Sequence, residues 1–144
     1  SSVENGLEED IKENFKSYNV GFHRHQPEIR DFLKIEFNLD HEIIFIPHLL
    51  PLFRGEYVTL YCEVTKNDLN LNDLYENYYE SHKLVRIKEK GEIAEIKDVI
   101  NTFYCDISLS YAFKSNTIVI NSAIDNLLKG AASQAIQCLD IMSS

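Results

Sequence analysis

FYCDISLSYAFKSNTIVI, Phe103–Ile120, is the stretch on which the fold turns. Phe103–Tyr111 and Thr117–Ile120 each read as a strand, and Lys114, Ser115 and Asn116 between them supply turn chemistry. Two strands joined so closely pair antiparallel. Outward from this pair, Leu84–Lys88 reads as a further strand. EYVTLYCEVT, Glu56–Thr65, is a long β-branched and aromatic one whose core face is Val58, Leu60, Cys62 and Val64. Leu71, Leu74, Tyr75, Tyr78, Tyr79 and His82 recur at helical spacing and predict a helix over 70–82.

Nearer the N-terminus, EIIFIP, Glu42–Pro47, fits a short strand buried on both faces, and Pro47 and Pro51 bracket an irregular His48-Leu49-Leu50. Tyr18–His25 is β-prone around Val20 and Phe22. It leads into a helix started by Pro27, with Ile29, Phe32, Leu33 and Phe37 on one face. Leu7, Ile11 and Phe15 predict an amphipathic helix over 7–17, and a long helix from about Asp125 closes the chain. Long strands without regular βα alternation give an α+β domain: a mixed, mostly antiparallel sheet with helices on one face.

A chain of 144 residues predicts a single domain over 1–144. With 44% hydrophobic and 26% charged residues it fits neither a disordered chain nor a membrane protein. The net charge of −9 repels phosphate backbones and argues against nucleic acid as a partner. No apolar run is long enough to span a bilayer and no stretch resembles a signal peptide, so the expectation is a cytoplasmic protein without membrane partners. The 3 cysteines form no CxxC pair, which excludes disulfide scaffolds and zinc ribbons. The 5 isolated glycines provide no phosphate-cradling loop.

His23 and His25 flank Arg24 on the β-prone segment, where a two-residue period places both rings on one face. That arrangement suits acid–base chemistry, or a metal site with a third ligand such as His48, or two unremarkable histidines. Arg54, before Gly55, is either a two-point anchor for a carboxylate or phosphate, or a surface residue in a turn. Cys105, midway along an apolar strand, reads as a small core residue rather than a nucleophile. The small residues Gly130–Ser133 permit close approach of a partner element or ligand, or plain helix packing.

HRHQPEI (His23–Ile29), FIPHLLPLFRG (Phe45–Gly55) and AIDNLLKGAASQAIQ (Ala123–Gln137), in this order and spacing, resemble the C-terminal part of the N-acetyl-γ-glutamyl-phosphate reductases. The resemblance implies a glyceraldehyde-phosphate-dehydrogenase-like C-terminal domain from an NADPH-dependent enzyme of arginine biosynthesis. That enzyme reduces N-acetyl-γ-glutamyl phosphate to N-acetylglutamate semialdehyde and phosphate. The family's nucleophilic cysteine and nucleotide loop belong to its N-terminal part, so this chain alone is expected to be inactive and NADP to be bound mainly elsewhere. By position, His23 or His25 is implied as the base that activates the thiol, with His23 favoured and His25 beside the substrate. Arg54 is implied as the substrate anchor, His48 as support for its loop, and Tyr18 as a border of the pocket. Asn126, Lys129 and Gly130 are implied to approach the nicotinamide, with residues 125–142 a helix packing toward the NADP-binding domain. A homo-oligomer, dimer or tetramer, is implied as well. The rival readings are a stand-alone binding or dimerisation module of this fold and an aspartate-semialdehyde-dehydrogenase-type enzyme.

Overall fold

Strands β5 (Cys105–Tyr111) and β6 (Thr117–Ile124) run antiparallel in the computed structural model, which describes residues 13–65, 70–112 and 116–143. Asp106 faces Ala123 and Ile107 faces Ser122. The Ala112 N–H bonds the Thr117 carbonyl at 2.8 Å where the expected turn begins, and Lys114 and Ser115 of that turn lie outside the described residues. β3 (Glu56–Glu63) pairs antiparallel with the other side of β6, and β4 (Val85–Ile87) pairs parallel with β5. The order β3-β6-β5-β4 is the mixed, mostly antiparallel sheet expected from sequence. β6 runs four residues past the expected Ile120, because β3 and β5 both continue their ladders to Ile124.

Alternation along β5 divides the core in two. On one face Ile107, Leu109, Ile118 and Ile120 are buried against Leu71 of helix α2 (Leu71–Tyr79), with Tyr75, Tyr79, Val85 and Ile87 packed around them. On the other face Ala94, Val99 and Ala123 are buried beside Asp106 and Ser108, under the segment that carries a 3₁₀ turn at Ile96–Asp98. Polar groups buried there need partners. The Ser108 hydroxyl accepts the Ala94 N–H at 3.0 Å, and Arg86, opposite Asp106 in register, donates to both of its oxygens while stacking 4.3 Å over the Tyr104 ring. On the edge strand β3 only Cys62, together with the following Val64, reaches the core. Val58 and Leu60, expected inside, stay exposed because the cluster under α2 meets only the end of that strand.

The chain divides into two compact units, Ser1–Leu52 and Phe53–Ser144, and the sheet belongs wholly to the second. In the first, β1 (Lys16–Ser17) pairs antiparallel with β2 (His48–Leu49), and α1 spans His25–Phe37. Asn38, at φ 54°, closes α1 by bonding its N–H to the Lys34 carbonyl.

Four expectations need correction. Tyr18–His25 is not a strand: Asn19 (φ 46°) and Gly21 (φ 83°) turn the chain, and the Phe22 N–H returns to the Asn19 carbonyl. Glu42–Pro47 is not a buried strand either; it has no ladder partner among the described residues, and Ile44 is 87% exposed. Of the helix expected over 7–17, residues 7–12 lie outside the described ones and Lys16–Ser17 are β1. The closing helix does not start at Asp125. A π-helical turn, Leu128–Ala132, comes first and the α-helix proper, α3, is Ser133–Ser143, because the Gly130 and Ala132 N–H groups reach back five residues to Asp125 and Leu127.

Candidate functional site

The histidine pair sits at the start of α1, with His25 the first helical residue and Pro27 in the first turn, where no backbone N–H is required. It is this helix start, not a strand period, that gathers the rings. The His23 and His25 centroids are 4.6 Å apart and edge to face. Phe45 lies 5.1 Å from His23 and 5.9 Å from His25, and Tyr18 stands edge-on to His23 at 5.5 Å. The His25 backbone N–H donates to His23 Nδ1 at 3.2 Å. A neutral His23 so engaged carries its proton on Nε2 and presents a donor there. Beside the pair opens a recess of about 230 Å³ bordered by Phe22, His23, Arg24, Gln26 and Arg30.

His48 is not part of this cluster. It pairs with Ser17 in the short β1–β2 ladder and stacks on Phe15 at 4.9 Å. Among the described residues no three His, Cys, Asp or Glu side chains come together as a metal site.

In the second unit Arg54 is gathered with Asp125 and Asn126, and its fork is already engaged. Nη2 donates to Asp125 at 2.7 Å and Nη1 to the Asn101 side-chain oxygen at 2.9 Å, while Nε is buried and has no partner among the described residues. Next to it, the Gly55 N–H donates to Asn126 Oδ1 at 2.8 Å. Gly55 holds φ at 117°, and a Cβ there would lie 2.5 Å from Ile96 Cγ2, so both conformation and space require glycine. Lys129 Nζ is tied along its own helix to Gln134 and Gln137, at 2.9 and 2.7 Å. Gly130 admits Ile124 closely: a Cβ would stand 3.3 Å from Ile124 Cδ1. Cys105 Sγ lies 3.3 Å from the Ser122 hydroxyl and packs against the main core, in keeping with a core residue.

Sequence reasoning missed Asp125 and Asp106, both fully buried carboxylates. Burial pushes the Asp125 carboxyl up, yet the Arg54 guanidinium and the N–H groups of Asn101, Leu128 and Leu127 outweigh it and hold the group below its ordinary value. The available signal was an aspartate directly after an apolar strand and three residues before a helical turn, a position that favours capping.

Residues 1–126 match the family described as semialdehyde dehydrogenase, dimerisation domain. Similar curated proteins include N-acetyl-gamma-glutamyl-phosphate reductases of Brachyspira hyodysenteriae, 42% identical over 92% of this chain and 38% of the relative, and of Thermoanaerobacter sp., 36% identical over 99% and 42%. A third, from Clostridium botulinum, is 44% identical over 90% and 38%. The chain thus spans about two fifths of the length of the curated relatives it matches. Among solved structures, aspartate semialdehyde dehydrogenase II from Vibrio cholerae has a TM-score of 0.67 at 14% identity, covering 90% of this chain and 41% of that one. The Francisella tularensis aspartate semialdehyde dehydrogenase scores 0.68 at 13% identity over 91% and 40%. At that identity the likeness concerns the fold alone.

Proposed function

The chain belongs to the semialdehyde dehydrogenase dimerisation-domain family, and from that premise we propose that it is the substrate-binding and dimerisation part of an NADPH-dependent N-acetyl-γ-glutamyl-phosphate reductase. The observation that carries this reading is the aromatic-walled His23–His25 pair at the head of α1, within the HRHQPEI block. In the proposed reaction a thiol from outside this chain loses its proton to an imidazole of the pair and attacks the acyl carbon. Phosphate leaves with the electron pair of the broken C–O bond. NADPH, when bound, supplies the hydride that takes the acyl carbon to the aldehyde level. The imidazolium returns its proton as the C–S bond breaks, which releases the semialdehyde.

The His25 N–H bond to His23 Nδ1 supports a division of labour opposite to the one favoured from sequence. His23 presents Nε2–H as a donor to developing negative charge, and His25 serves as the base. Tyr18 and Phe45 wall the pair. Arg54, with two of about five N–H donors committed, keeps others for a carboxylate or phosphate of the substrate. His48 supports the chain leading to that arginine. Asn126, its Oδ1 engaged by Gly55, retains amide donors suited to a carboxamide acceptor such as that of nicotinamide, so the residues at this junction fit the cofactor. α3, with Ile136 and Leu139 more than 60% exposed, is proposed to pack toward the NADP-binding domain, and the protein to act as a homo-oligomer.

The test is an assay of the full-length protein for NADPH oxidation with N-acetyl-γ-glutamyl phosphate. Turnover is expected, with about a 100-fold loss in His25→Ala and a smaller loss in His23→Ala. Absence of turnover with this substrate, alongside turnover with aspartyl phosphate, overturns the reading in favour of the aspartate-semialdehyde type.

A further inference from the structure

We propose that Asp125, which takes no part in the chemistry above, is a positioning residue. It fixes the junction between β6 and the π-helical turn, and with it the amide of Asn126, using Arg54 as its counter-ion. The inference rests on the reductase reading, since there Asn126 meets a cofactor.

The Asp125 carboxylate is fully buried and its contacts tie three pieces of chain, around Arg54, Asn101 and Leu127–Leu128, to one point. Oδ1 accepts from Arg54 Nη2 at 2.7 Å and from the Leu127 and Leu128 N–H groups at 3.0 and 3.1 Å; Oδ2 accepts the Asn101 N–H at 2.8 Å. Two of those donors are the unpaired N–H groups that any helical turn leaves at its start. The Asp125 backbone carbonyl, meanwhile, accepts the Gly130 N–H at 3.1 Å and so sets the π-helical hydrogen bond. One residue therefore determines the path of 126–130 from both its side chain and its backbone.

Asn126 sits inside that clamp with its own Oδ1 held by Gly55, the neighbour of Arg54. Arg54–Gly55 and Asp125–Asn126 thus form a double link, one ionic and one amide. An amide pinned through its oxygen leaves Nδ2 as its one donor edge, in an orientation set by its surroundings. Removing the charge from Asp125 unbalances Arg54 and weakens the cap, and the donor edge then loses its fixed place.

Asp125→Asn in the full-length protein tests this, because it keeps the shape and removes the charge. Loss of a charged hydrogen bond predicts NADPH binding weakened about tenfold or more by fluorescence titration. Amide exchange at Leu127 and Leu128 in the cofactor-free protein is expected to quicken about tenfold. A folded variant with unchanged NADPH affinity, unchanged exchange, or exchange quickened equally throughout β5 and β6 overturns the proposal. Should Asp125→Asn fail to fold, Asp125→Ser, which keeps a capping oxygen without the charge, is read by the same two measurements. A wild-type protein that binds no NADPH sinks the reductase reading and this inference with it, an outcome distinct from a variant that behaves as wild type.

Discussion

Among the described glycines, Gly55 is the one where conformation and packing both forbid a side chain. Its φ of 117° and the 2.5 Å approach of Ile96 Cγ2 predict that Gly55→Ala loses about 2 to 4 kcal/mol in denaturant unfolding. A variant as stable as wild type would contradict that geometry. Asp125 makes its own prediction about pH. Its folded-state value lies below the ordinary 3.8, because the ionised form is bonded to Arg54 and three N–H groups despite its burial. The stability it contributes is therefore complete above about 3.8 and is lost as pH falls below that through the folded-state value. Acid titration of Asp125→Asn should show a shallower loss of stability in that window than wild type.

Among the elements, β5 and β6 carry the sheet, because both are covered on both faces. Leu109→Ala, on the face under α2, should cost about 2 to 5 kcal/mol, since the Leu71 and Ile120 side chains close over it and leave a cavity. On the opposite face Arg86→Ala strands Asp106. The cost expected from calorimetry is near the low end of about 3 to 5 kcal/mol, because Lys88 Nζ remains 3.9 Å from the carboxylate. The elements read from sequence that the structure bears out are α1, β3, α2, β4, β5 and β6, where composition and hydrophobic period agree with each other. Glu42–Pro47 has a strand's composition without a strand's partner, and β propensity expresses itself only on a ladder.

At the level of the whole molecule, His23 and His25 belong to the first compact unit and Arg54 and Asn126 to the second. No helix among the described residues is long and apolar enough to cross a membrane. Exposed Leu60 and Tyr61 on β3 leave apolar surface that self-association would cover. Light scattering over a concentration series is expected to show a species of twice the chain mass, and monomer alone at every concentration would count against the oligomer. The sequence by itself determined the α+β class, the antiparallel pairing of β5 with β6, and the residue blocks that mark the family, because hydrophobic period, turn chemistry and motif order are all local properties of the chain. Tertiary structure alone decided that Arg54 would divide its fork between Asp125 and Asn101, that His25 would lend its N–H to His23, and that a π-helical turn would precede α3. Each depends on a hydrogen bond whose partners are chosen by how buried polar groups find one another in space, and spacing along the sequence does not encode that choice.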